Sequence, residues 1–262
     1  MAKTKNAPPK HNPLELIENA KAAGIREVVV SFSGGKDALT CLDLCSKHFE
    51  RIEAFFMYMV PGLSFQEDTL RTAERKYGIE IFRIPDKRLC DALRGSQFRD
   101  VTKQAASLPA ITYRRVAHYA RAKFGINWIA SGESAFESIT RHAMIKRCKG
   151  VDVPRGYIYP IGFWRRQDVY SYLSQNRIPL PPEYTICGTG ASYGGLRMEH
   201  LDPISKHCPE DFKKIMRLFP HCVVQLDRWR IEQEAKNERS KREQDSEREH
   251  DERNEANEVS EV

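Results

Sequence analysis

The 262-residue sequence has no uninterrupted run of 18 apolar residues, so no membrane-spanning helix is expected. Residues 1–13 are basic, contain proline and lack an apolar stretch, which argues against a secretory signal. The seven cysteines are odd in number and scattered, which points to free thiols in a reducing, cytoplasmic compartment rather than to a disulfide framework. No internal repeat is present. A Walker A loop is missing, because Val30 stands where its first glycine belongs, and so is the G-x-G-x-x-G dinucleotide fingerprint. Disorder of the whole chain is excluded by its 40% apolar and 10% aromatic content.

Charge is unevenly spread. The chain carries 42 bases and 36 acids, a net of +6, but residues 231–262 hold twelve acids and six bases with almost nothing apolar to bury. That tail reads as a fraying solvated helix or as disorder. Residues 1–230 are left with a net charge of +12, a balance suited to nucleic acid or small anionic nucleotides. Three regions follow: a flexible basic stretch over 1–13, one domain over 14–230 and the acidic tail.

Within the domain, helical spacing over residues 14–23 gives way to a short β-branched run at Val28, Val29 and Val30, the pattern of a buried parallel strand. Helices are expected over 38–48, 68–77, 113–124 and 168–175. Strands are expected over 52–60, 79–84, 128–130 and 158–161. The alternation predicts an α/β fold, a doubly wound parallel sheet with helices on both faces.

The most informative segment is Ser31-Phe32-Ser33-Gly34-Gly35-Lys36-Asp37-Ala38, placed between the first strand and a helix. Two glycines let successive backbone N–H groups face one point, and the helix that follows adds unpaired N–H groups and a positive dipole end. Together they form a nest for a phosphate or pyrophosphate. Ser33 supplies a hydroxyl and Lys36 a positive charge. Asp37 is placed to cap the helix or to help hold Mg²⁺ through water.

Ser33-Gly34-Gly35-Lys36-Asp37 resembles the PP-loop, S-G-G-x-D-S, of the adenine nucleotide alpha-hydrolase superfamily, with Ala38 in place of the last serine. Two later segments resemble the phosphoadenylylsulfate (PAPS) reductase-like branch. In residues 128–141, Gly132, Glu137, Ser138 and Arg141 fit the family pattern, whereas Ser134 stands where an arginine is common. Residues 159–173 contain a stretch similar to P-[IL]-x-x-W-x-x-x-D-[IV]-[WY]-x-Y-[IL], where Trp164 and Tyr172 are expected to pack and Asp168 to cap a helix. The loop at 60–65 keeps only Gly62 and Phe65 of the family's D-T-G-x-x-F-P-E-T, with Glu67 and Thr69 offset by one residue. The resemblance spans about residues 25–200.

The resemblance implies a bound adenine nucleotide, ATP or PAPS, with Mg²⁺. The candidate nucleotide-binding residues are Ser31, Ser33, Gly34, Gly35, Lys36 and Asp37, with Gly132 at the fourth strand and main-chain groups near Tyr58 and Val60 for adenine. Lys36, Asp37 and Arg141 are the candidate catalytic residues, the planar guanidinium of Arg141 being suited to grip a phosphate or sulfate.

The cysteines bear on the reaction. A PAPS reductase needs a nucleophilic cysteine in an E-C-G-[IL]-H context, and none occurs. The Cys187-Gly188 pair is followed by threonine, and with glycine at 190 no C-x-x-C begins there to support an iron–sulfur cluster. Cys41 and Cys45 read as core residues. His207-Cys208 and His221-Cys222 could hold a metal with Cys187 or Cys148, although the spacing matches no standard zinc pattern.

Three functions follow. The first is an ATP pyrophosphatase that adenylates an acceptor, for sulfur transfer from a persulfide-carrying partner to DNA or RNA. The second is a thioredoxin-dependent PAPS or adenylylsulfate reductase using Cys208 or Cys222. The third is a non-catalytic nucleotide-binding subunit docked through the acidic tail. Assembly as a homo-oligomer or within a complex is expected, and no membrane partner.

Overall fold

The computed structural model describes residues 14–188 and 196–260, with side chains as far as residue 244. The N-terminal stretch 1–13 lies outside the described residues.

The chain runs α1 (Glu15–Ala22), β1 (Glu27–Ser31), α2 (Lys36–His48), β2 (Arg51–Tyr58), α3 (Ser64–Tyr77) and β3 (Ile81–Pro85). It continues through α4 (Lys87–Arg94), α5 (Lys103–Ala106), α6 (Tyr113–Phe124), β4 (Ile129–Ser131), α7 (Ile139–Cys148), β5 (Val151–Asp152) and β6 (Tyr157–Ile158). The helices α8 (Arg166–Gln175), α9 (Glu183–Ile186), α10 (Met198–His207), α11 (Pro209–Leu218) and α12 (Cys222–Ser260) complete it. The strands form one sheet in the order β3-β2-β1-β4-β6-β5, parallel throughout except for the β5–β6 edge.

The three valines of β1 show why the sheet needs cover on both faces. Side chains alternate along a strand. Val28 and Val30 therefore enter the core built with α1, α2 and α8, while Val29 joins Val116, Ala117 and Ala120 of α6 on the opposite face. All three are fully buried, which stabilises the fold by about 1.5–3 kcal/mol per side chain. Chain order reverses between β1 and β4, so a crevice opens at the carboxyl ends of these two strands. A third apolar cluster, with Leu63, Phe65, Leu201, Ile215, Phe219 and Leu226, packs α10, α11 and the start of α12 against the segment after β2.

Several elements start earlier than their sequence patterns suggest. The second helix begins at Lys36 rather than residue 38, so Asp37 lies inside its first turn and Gly35 is the N-cap. The third begins at Ser64, where Asp211 accepts from both the Ser64 N–H at 2.7 Å and its hydroxyl at 2.6 Å. Asp168 caps α8 as expected, from the third helical position rather than the N-cap: its carboxylate accepts from the N–H of the N-cap residue Arg165 at 2.7 Å. Trp164 and Tyr172 pack edge to face, with ring centroids 5.4 Å apart. No helix among the described residues is long and apolar enough to cross a membrane.

Candidate nucleotide site

The loop after β1 is built from backbone. Ser31 pairs with Ser131 across the β1–β4 ladder, which sets the two strand ends side by side. Phe32 is buried and Ser33 points to solvent. Gly34 takes φ +80°, a left-handed conformation that glycine adopts without cost. Gly35 caps α2 with extended backbone and no side-chain cap, so the first N–H groups of the helix depend on other partners. One partner comes from 148 residues away: the Lys36 N–H donates to the Tyr184 hydroxyl at 3.2 Å. The Lys36 ammonium pairs with the neighbouring Asp37 carboxylate.

Gly132, at the end of β4, is needed for a different reason. A Cβ there would lie 2.9 Å from the Asp37 carbonyl oxygen and 3.0 Å from its carbon. The backbone of the β4 end thus abuts the loop with no room for a side chain. On the other side of the loop, a Cβ on Gly34 would meet the Thr69 methyl of α3 at 3.8 Å, an ordinary van der Waals contact.

Arg141 sits in the first turn of α7, whose N-cap Ser138 accepts from the Arg141 N–H at 3.2 Å. Its guanidinium pairs with Glu137 and lies 3.6 Å from Glu133. Partial burial outweighs the Arg141 charge and, with Asp37 and Glu133 nearby, lifts the Glu137 carboxyl above the usual carboxylate range. Arg141 therefore belongs to a small charge network with Glu133 and Glu137 beside the loop. Ser134 serves packing: its hydroxyl donates to the Trp164 carbonyl at 2.7 Å, tying the β4–α7 segment to the turn before α8.

Tyr58 ends β2 and Val60 follows it. The Tyr58 carbonyl accepts from the Asp86 N–H at 2.9 Å, and Val60 is buried in the cluster of α10–α12. Loop, Gly132 and the Arg141 network meet at the β1–β4 crevice, while Tyr58 and Val60 flank it.

Two residues beside the loop, and a third farther along α2, were not apparent in the sequence. Tyr184 reaches the loop from α9, beyond a proline-rich stretch that gives no periodic signal. Glu183 beside it is buried, and burial pushes its carboxyl up to about 7. Asp43 lies farther along α2 itself and is buried, accepting from Tyr172 at 2.7 Å, Tyr77 at 3.0 Å and Lys47 at 2.6 Å. These donors hold its carboxyl below the ordinary range against the opposing effect of burial.

Cys41, Cys45, Cys90 and Cys222 are buried, while Cys148, Cys187 and Cys208 are half-buried. Cys41 and Cys45 lie in the core against the sheet. Burial pushes the Cys187 thiol up to about 11 and the Cys222 thiol up to about 12, and it raises Cys208 as well. His221 faces Asp100 at 3.3 Å. The two His-Cys pairs do not converge, and no group of three or more His, Cys, Asp or Glu side chains able to hold a metal ion occurs among the described residues.

The family model for the phosphoadenosine phosphosulfate reductase domain matches residues 27–185, more than half of the chain. An uncharacterized protein of Methanocaldococcus jannaschii is 27% identical over 188 residues, covering 67% of this chain. The aligned part is 37% of that relative's length, so the chain spans little more than a third of it. Among solved structures, PAPS reductase from Candida auris, in a phosphate complex, overlaps at TM-score 0.44 with 16% identity, over 66% of this chain and 83% of that one. The U34-tRNA thiolase of Methanococcus maripaludis overlaps at 0.43 with 13% identity, over 86% of each chain. NH3-dependent NAD synthetase of Campylobacter jejuni overlaps at 0.43 with 14% identity, over 81% and 89%. Overlaps of this size carry no argument about activity. From its loop, its sheet order and the family match over residues 27–185, the chain belongs to the phosphoadenosine phosphosulfate reductase domain family of the PP-loop superfamily.

Proposed function

We propose that the chain is an ATP pyrophosphatase that adenylates an acceptor, with sulfur transfer to nucleic acid as the end reaction. The observation that carries the reading is the start of α2 behind Gly34 and Gly35, where the N-cap residue supplies no side-chain acceptor, backed by Gly132. Backbone N–H groups there suit the β,γ-pyrophosphate, and Lys36 supplies charge at short range. An acceptor oxygen attacks the α-phosphorus, the α–β phosphoanhydride bond breaks, and pyrophosphate leaves. A persulfide sulfur from a partner then displaces AMP, and a thiol reduces the resulting mixed disulfide to release the product. The protein's part is positioning and charge stabilisation. Asp37 is the loop carboxylate suited to hold Mg²⁺ through water, while the phosphates would supply most of its ligands. That ion would spread the charge of the leaving pyrophosphate.

The raised thiols favour this reading over a reductase. Thiolate, not thiol, is the nucleophile, and Cys187, Cys208 and Cys222 are all held toward the protonated form by burial. The family match itself supports the second reading, PAPS reduction, in which a cysteine attacks the sulfonyl sulfur and a dithiol then releases sulfite.

One incubation separates them. The purified protein is given Mg²⁺, ATP, PAPS, a dithiol and bulk nucleic acid, and the nucleotides are resolved. AMP with pyrophosphate is expected. Adenosine 3′,5′-bisphosphate with sulfite would overturn the proposal in favour of the reductase.

A further inference from the structure

The rim of the crevice carries an exposed aromatic side chain that neither the loop nor the core uses. Phe136, between β4 and α7, is 51% exposed. The Arg165 guanidinium lies over its ring, 5.0 Å from the centroid, and the His142 ring approaches at 6.5 Å with an interplanar angle of 71°. Ile139, one turn along, is 91% exposed. On α7, His142 and Lys146 are four residues apart and share a face. Both are exposed, as are Arg147 and Arg165. None of Lys146, Arg147 and Arg165 forms an ion pair among the described residues, whereas nearby Glu133 and Glu137 are already matched by Arg141. The rim is also continuous with the site: Glu137, one residue from Phe136, feels the Asp37 charge.

We infer that Phe136, flanked by Arg165 and His142, is a stacking platform for a base of a single-stranded nucleic acid whose backbone follows the basic face of α7. The inference rests on the reading of the loop as activating a nucleic-acid acceptor, and it names the strand type and the residues that present it. Single-strand binding combines an aromatic surface for the base with cations that track the phosphates, and it tolerates many sequences because every base has a π-face. Two exposed apolar side chains make too small a patch for the core of a stable protein interface. Unpaired cations around them are complementary to a phosphodiester chain. A duplex keeps its bases stacked on each other and offers none to Phe136.

The test titrates the full chain into a fluorescein-labelled 20-mer oligothymidylate, the matching oligouridylate and a 20-base-pair duplex, at 50 and 200 mM salt. Binding is read by anisotropy. Single strands should bind more tightly than the duplex. Phe136→Ala should weaken single-strand binding by about 5- to 150-fold, the range for loss of one stacked base, and Phe136→Trp should restore it. The double variant Lys146→Glu/Arg147→Glu should flatten the slope of log affinity on log salt by about 1.4 for the two lost phosphate contacts. Equal binding by wild type and Phe136→Ala, equal loss in the Ala and Trp variants, or equal affinity for duplex would each overturn the platform. So would no single-strand binding at 50 mM salt. Circular dichroism of each variant checks that it is folded. ATP is titrated separately into wild type and Lys36→Ala. Failure of wild type to bind ATP removes the loop reading, whereas ATP binding without oligonucleotide binding removes the platform alone.

Discussion

The two segments that meet at the crevice are built in opposite ways. After β1 the chain turns through two glycines into α2, in which Ala38 through Cys45 are buried. After β4 it turns through Gly132 into α7, which buries Ile145 alone. One side presents backbone N–H groups held by a packed helix. The other presents side chains on a helix that could change most of its residues with little effect on the core. A phosphate group is the same in every nucleotide, so a fixed backbone nest suits it. An acceptor differs from one enzyme to the next, and a solvent-facing helix is where such differences are accommodated without disturbing the fold.

The sharpest way to break this comparison is one small side-chain change on each side. Gly132→Ala forces the Asp37 carbonyl away from a Cβ at 2.9 Å. The expected cost is about 1–3 kcal/mol of stability from overpacking, with a loss near 10²-fold in AMP formation because the loop is displaced. Ile139→Ala, at a position 91% exposed, should change stability by less than about 0.5 kcal/mol. Thermal melts and turnover of the two variants check the pair. Similar losses in both would mean that the fold depends on α7 as much as on the loop.

The same asymmetry explains what could be read from the sequence. Val28-Val29-Val30 and the Gly34-Gly35 turn carry local signals, β-branching and glycine pairing, so the loop side was legible without the structure. The α/β sheet was legible for the same reason, whereas the Trp164–Tyr172 pair was legible through the resemblance of its segment to the family pattern. No helix was expected over α7, because Ile139, Ala143 and Ile145 make no apolar stripe on a helix with one buried position. Asp43 could not be found, because its partners Tyr77 and Tyr172 are 34 and 129 residues away and only the fold brings them together. Likewise, nothing in Pro181-Pro182-Glu183-Tyr184 signals that a hydroxyl will meet the loop.

Buried carboxylates sharpen the comparison through pH. Glu183 has its carboxyl raised to about 7 by burial, so the folded state keeps a proton that the unfolded chain releases near pH 4. Its contribution is therefore fully present below the unfolded value and is lost as pH rises toward 7, by up to about 3 kcal/mol. In Glu183→Gln that decline between pH 4.5 and 7 should disappear from denaturant titrations. A decline that persists unchanged would assign it to another group. Asp43 has the opposite sign. Its carboxyl is held low by Lys47, Tyr172 and Tyr77 against burial, so its stabilisation is present above the ordinary carboxylate value and is lost as pH falls through the folded one. Asp43→Asn should cost about 2 kcal/mol at neutral pH, as hydrogen bonds to a charge become bonds to an amide. The difference from wild type should shrink below pH 4.

The smallest effect tests where packing ends and binding begins. Tyr184 places a neutral hydroxyl on the Lys36 N–H, a donor that a phosphate oxygen would otherwise take. Burial, together with the nearby Asp37 charge, raises the phenol, so it is not an anion competing on charge. Tyr184→Phe removes the acceptor and leaves the ring. Without nucleotide, the variant should lose about 1 kcal/mol of stability, one hydrogen bond. With nucleotide, the same term should appear with the opposite sign, because a ligand no longer has to displace the hydroxyl. Affinity for ATP should then rise about fivefold by calorimetry. A fall in affinity would mean that the hydroxyl stays and donates to the phosphate, and that the packed side of the crevice contributes a side chain to binding as well as its backbone.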